Sequence, residues 1–132
     1  MHLSGRVDQL NDHHPEIILK GIDVYKDIRQ DLRFGTPFWP LGSPKWSGGW
    51  ISVGSRCSDR LSYVSVWRRE STAPDSIELS VPKGAGTFKT TLAVLYPAWL
   101  PVENLWDKKR GSMTVKLPCA PSARLFRVDF TI

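Results

Sequence analysis

The residues most able to do chemistry in this chain are its acids, histidines, cysteines and tryptophans. Bond hydrolysis by a carboxylate pair needs one acid with a raised pKa and a second that stays ionised. Asp8, Asp12, Asp59, Glu70, Asp75, Glu103 and Asp107 supply the residue type. Each stands among turn-forming or hydrophilic neighbours that would leave its pKa alone, so they read as solvated surface acids. His2, His13 and His14 lack the spacing that places imidazoles on one metal ion, and no CxxC pair exists, so neither a metal site nor a cofactor is expected. A G-x-S-x-G nucleophile turn is absent. Ser47-Gly48-Gly49 precedes no helix that could cradle a phosphate, and 82–86 (PKGAG) reads as a hairpin loop. Cys57 and Cys119, far apart and without ligand spacing, read as free thiols.

Six tryptophans are many for 132 residues, and three of them, Trp39, Trp46 and Trp50, fall within one short stretch. A flat indole offers apolar area and one N–H, which suits stacking on a sugar ring and equally suits sealing one element against another. Both uses stay open, with packing the commoner. If packing holds, Trp39 and at least one of Trp46 and Trp50 should be largely buried. Trp67 lies in a strand pattern, whereas Trp99 and Trp106 read as loop residues.

The elements that position these groups differ along the chain. Stepped at about 100° per residue, Ile17, Ile18, Ile22, Val24, Tyr25, Ile28 and Leu32 share one arc, so Glu16 to Leu32 is predicted to be an amphipathic helix. Glu16, Lys20, Asp23, Lys26, Asp27, Gln30 and Asp31 occupy the other side. Asn11 or Asp12 could cap its start, Pro15 suits its first turn and Gly35 its end. Gly21 lies within the apolar arc and would admit a close neighbour. Residues 36–49 are rich in proline, glycine and tryptophan and read as a pinned loop with too many prolines for strand pairing. From Trp50 the period becomes two, in six short strands carrying Ile51/Val53, Val64/Val66, Ile77/Leu79/Val81, Leu92/Val94/Tyr96, Met113/Val115/Leu117 and Phe126/Val128/Phe130/Ile132. The expected class is mainly β: an antiparallel β-sandwich preceded by one amphipathic α-helix, divided as 1–35, 36–49 and 50–132. Alternation up to Ile132 suggests a natural C-terminus there, while the start at Met1 is abrupt.

The net charge of +5 is scattered in short runs such as Arg68-Arg69 and Lys108-Lys109-Arg110 among 13 acids, which argues for a solvated basic surface and against a nucleic-acid partner. No apolar run reaches the ~20 residues that cross a membrane. The compartment stays open. The helix face must be covered by something, either by the sandwich, by a second copy through Ile18, Ile22 and Tyr25, or by a domain outside this chain.

The succession MHLSGRVDQL, GIDVYKDIR, GTPFWPLG, VSVWRR and AVLYPA resembles the C-terminal region of family-36 glycoside hydrolases, the α-galactosidases and their relatives. The resemblance covers most of the chain, and the spacing from YKDIR to PFWPLG to VWRR is its most specific part. It implies that Leu3 to Asp8 follow the last strand of a catalytic (β/α)8 barrel, that Glu16 to Leu32 form the last barrel helix, and that 50–132 form the β-sandwich after it. The family's nucleophile stands in a lysine-x-aspartate motif and its acid/base in a glycine-rich motif ending in aspartate. Lys45-Trp46-Ser47 and Ser47-Gly48-Gly49-Trp50 lack the aspartate, so no catalytic residue carries over. The implied role is a non-catalytic accessory domain of an α-galactosidase-like hydrolase, with the parent's barrel as partner. The alternatives are a stand-alone module that binds α-galactosides through Trp39, Trp46 and Trp50, or an assembly domain working through its helix.

Overall fold

The computed structural model describes residues 14–83 and 89–132. The cap residues Asn11 and Asp12, the acid Asp8, His2, His13 and most of the 82–86 loop lie outside these. The first element is a helix, α1 (His14–Leu32), followed by β1 (Thr36–Phe38), β2 (Trp50–Ser58), β3 (Leu61–Arg68), β4 (Ser76–Ser80), β5 (Lys89–Tyr96), β6 (Glu103–Asp107), β7 (Ser112–Lys116) and β8 (Ser122–Thr131). The strands form two antiparallel sheets, a five-stranded one ordered β1-β2-β3-β8-β5 and a three-stranded one ordered β4-β7-β6. The fold is a β-sandwich preceded by a helix.

Two-residue alternation builds the core. Val64 and Val66 on β3 and Phe126, Val128 and Phe130 on β8 point inward, and they meet Leu79, Val81, Met113, Val115 and Leu117 from the smaller sheet's side. All ten are buried, which by area alone stabilises the fold by roughly 1.5–3 kcal/mol per large side chain before entropy is counted. The outward residues of β4, β7 and β6 are mostly polar, and Lys116 pairs with Glu103 and Arg110 with Glu78 across that face.

Three elements differ from the sequence reading. Thr36–Phe38 pairs with β2 despite Pro37, because it lies at the sheet edge where a missing N–H breaks no interior ladder. The Phe38 ring then lies over Gly54, where an added Cβ would come within 2.2 Å of it. β6, too polar to show a period of two, is held by β7 and turns Trp106 inward, edge-on to Phe130 at 5.7 Å between ring centroids. The third difference is a register shift between Val94 and Tyr96. Val94 stands opposite the inward Phe126, but Tyr96 stands opposite the outward Leu125, so the irregularity turns Tyr96 over to the other face.

That other face of the five-stranded sheet carries α1. The helix ends at Leu32, where the Gly35 N–H donates to the Leu32 carbonyl at 3.1 Å. Two tyrosine hydroxyls tie the helix down: Tyr96 Oη donates to the Ile17 carbonyl at 2.8 Å, and Tyr63 Oη to Asp31 Oδ2 at 2.7 Å. Gly21 sits at the first tie, where a Cβ would be 3.2 Å from the Tyr96 ring, so a glycine lets the helix come this close. Lys20 lies over the Trp99 ring, and Trp99 meets Tyr96 edge-on, which extends the anchor into the loop after β5.

Candidate functional site

An apolar cleft lies between α1 and the sheet it covers. Its roof is Gly21, Val24, Tyr25, Ile28 and Leu32, and its floor is Val53, Ser55, Tyr63, Ser65, Tyr96 and Leu125, enclosing about 450 Å³. The floor follows from strand register. Val53 pairs with Ser65, Ser65 with Leu125 and Leu125 with Tyr96, so these four form one row across β2, β3, β8 and β5. Ser55 and Tyr63 are opposite one another in a neighbouring row. The side chains lining the space are all uncharged.

Asp31 was grouped above with the solvent side of the helix, and the structure corrects this. Residues three apart share a helix face, so Asp31 stands beside the buried Ile28 and reaches Tyr63. Burial and the Asp31 carboxylate both push the Tyr63 hydroxyl well above the ordinary tyrosine range. Burial does the same, more mildly, to Tyr96 and to the Cys57 thiol. Both cysteines are free. Across β8, Arg127 holds Asp129 through two nitrogens at 2.9–3.0 Å.

These three raised groups bind protons more tightly folded than unfolded. Their stabilisation is therefore complete below their unfolded pKa values and is lost as pH climbs past about 8.5 for the thiol and about 10 for the tyrosines. The denaturation midpoint is expected to fall steadily between pH 8 and pH 11. A midpoint that stays level or rises over that range would contradict the buried tyrosine ties.

The acids named from sequence are scattered. Asp59 faces solvent beside Arg56, Glu103 beside Lys116, and Asp75 and Glu70 are exposed. Asp107 accepts from the Lys109 and Arg110 backbone N–H groups, the Arg110 bond doing most to hold its carboxyl below the usual range. Glu78, unremarked in the sequence, is lowered chiefly by the Ser112 hydroxyl and then by Arg110.

The tryptophan loop also departs from expectation. Trp39 is 52% exposed and Trp46 is 95% exposed, and only Trp50 is partly buried, packed against the core with its Nε1 donating to the Pro74 carbonyl at 2.8 Å. The expected burial of Trp39 is overturned, because β1 and the loop run along the sheet edge and not under the helix, and of Trp46 and Trp50 only Trp50 packs inward, part-way. The loop is nonetheless held: Arg69 Nη1 donates to the Trp46 carbonyl at 2.7 Å and to that of Gly48 at 3.2 Å. Replacing Trp39 with alanine is accordingly expected to cost roughly 1–2 kcal/mol, well below the ~3–5 kcal/mol of a fully buried indole. A urea titration showing a loss above that range would mean that Trp39 is covered in solution.

The residues named for assembly are divided. Ile18, Ile22 and Tyr25 are half-buried, and Tyr25 faces the cleft. No family model, curated protein or solved structure matches this chain.

Proposed function

We infer that this chain serves as the non-catalytic C-terminal accessory domain of an α-galactosidase-like glycoside hydrolase, seated against the parent's (β/α)8 barrel. One structural observation carries the reading beyond the sequence resemblance. Of the eight apolar residues along α1, only Ile28 is buried by this chain. Ile17, at 41% exposed, and Leu19, at 61%, on the opposite side of the helix, turn toward solvent. A helix apolar on the sheet side and also on its flank is suited to lying between two bodies, as the last helix of a barrel does against a following sandwich.

The test has two arms. The purified chain should leave an aryl α-galactoside unhydrolysed, and it should bind a family-36 barrel whose own C-terminal sandwich has been removed. Leu19→Asp, on the flank away from the sheet, should weaken that binding at least tenfold without lowering the melting temperature. Turnover lost on changing Asp59 or Asp107 would overturn the reading, as would absence of binding to the barrel.

A second reading rests on Trp46. An indole that is almost fully exposed, on a backbone held by two Arg69 hydrogen bonds, presents a flat apolar face that suits stacking on a sugar ring. Saturable quenching of tryptophan fluorescence by a galactoside, lost in Trp46→Ala, would favour it. Trp39 and Trp50 enter this reading as well, though Trp50 has its N–H engaged by Pro74.

A further inference from the structure

We propose that the cleft beneath α1 is a binding site for a neutral small molecule built on one or two apolar ring systems and carrying a single hydrogen-bonding group. This goes beyond the accessory-domain reading and does not depend on it.

The first support is how the helix is held. The tyrosine ties act near its two ends, at Ile17 and Asp31, and neither fills the space between. Tyr96 stands at one end of the floor and Tyr63 toward the other, so both hydroxyls are spent on the helix and set its height above the sheet. Under the middle turns, where Val24, Tyr25 and Ile28 look down on Val53, Ser65 and Leu125, about 450 Å³ stays open. Volume of that order falls within the ordinary range for small-molecule sites.

The second support is the row that forms the floor. Ser65 occupies the middle of the sheet's outer face, between Val53 and Leu125, where a valine or leucine would fill the space and a serine leaves it open. Interiors normally pack without voids of this size. The flanking apolar side chains are only partly buried by the chain itself, so an occupant would remove further apolar area from water.

The third support concerns charge. The lining is uncharged; the Asp31 carboxylate is turned to the Tyr63 hydroxyl, and Arg127 is engaged by Asp129. An ionic ligand would lose its hydration and find no counter-charge, whereas a neutral ring compound loses little. The Ser65 and Ser55 hydroxyls in the floor can meet one polar group and fix its orientation.

The experiment uses the whole chain and two probes with the same rings. Neutral N-phenyl-1-naphthylamine should bind saturably at one site per chain, and 8-anilino-1-naphthalenesulfonate, which adds a sulfonate, should bind at least tenfold more weakly. Ser65→Leu should reduce affinity for the neutral probe at least tenfold while the melting temperature holds or rises, because leucine fills the space. Val53→Phe, at a partly exposed floor position, should act in the same direction and serves if Ser65→Leu does not fold. The proposal is overturned by absence of saturable binding, by equal affinity for the two probes, or by affinity unchanged in the variant that folds. Sedimentation showing a dimer that the probe dissociates would also overturn it, since the occupant would then be a second copy.

Discussion

Arg68→Met is expected to lower stability by about 3–5 kcal/mol, because several buried backbone carbonyls lose their donor at once. Arg68 is 6% exposed and sits on the inner face at the end of β3. Its Nη1 donates to the Leu117 carbonyl at 2.9 Å and to that of Pro118 at 3.3 Å, while Nη2 donates to Ser71 at 3.1 Å and Ala73 at 2.7 Å. One guanidinium thus gathers the turn after β3 and the end of β7, tying one sheet to the other. Methionine matches the stem but leaves those carbonyls without a donor, and each one that water cannot reach costs about 1–3 kcal/mol. Lysine should recover only part of the loss, since a single ammonium cannot span both pairs of oxygens. Urea denaturation of the wild type, Arg68→Met and Arg68→Lys gives the comparison. A loss under 1 kcal/mol for methionine would mean that water replaces the guanidinium. A small domain has about 5–15 kcal/mol in total, so the methionine variant should be partly unfolded when warm.

Ile28→Asp should have an effect of similar size and a different signature. Ile28 is the one buried apolar residue of α1, and it closes the roof of the cleft above the sheet. The change forfeits about 2–5 kcal/mol of apolar burial and packing and places a carboxylate where it must be protonated or drag the helix into water. A detached helix of 19 residues with few strong helix formers is marginal by itself, so it should melt. The expected result is loss of the helical far-ultraviolet signal, with the near-ultraviolet signal of the Trp106–Phe130 pair retained, because the sandwich core contains no helix residue. Complete unfolding in a single transition would show instead that the sandwich depends on its helix. Ile22→Asp, at a half-buried position, should do the same to a smaller degree.

Both predictions turn on positions whose meaning was partly written in the sequence. Arg68 continues the phase of Val64 and Val66, and Arg124 the phase of Phe126, Val128 and Phe130, so alternation alone places each on the inner face. Read by residue type, Arg68 instead joins Arg69 as a solvated basic pair. The structure shows why the phase wins: the sandwich end supplies carbonyls to both guanidiniums, with Arg124 bonded to Pro101, Ala123 and the Ser122 hydroxyl. Burial lowers the Arg124 pKa, which is the mark of a cation neutralised by dipoles and not by an acid.

The sequence by itself determined the helix, the strands that feed the core and the sandwich class, because each rests on a local period that burial on one face imposes. It also contains the resemblance on which the proposed function begins. Tertiary structure alone decided what lies on the far side of the sheet. β6 and β1 are strands only because β7 and β2 offer them hydrogen bonds, so their own residues carry no period. Tyr96 was legible as a strand residue facing inward with Leu92 and Val94, and one extra residue in β5 reversed it. That reversal joins Tyr96 to a row with Val53, Ser65 and Leu125, residues of the β2–β3 hairpin and of the distant strands β8 and β5. Such a row is a product of register, which long-range pairing sets and no local pattern records. The same holds for Trp39 and Trp46: composition marked them as unusual, but their exposure depended on the loop following an open sheet edge, away from the helix that might have covered them.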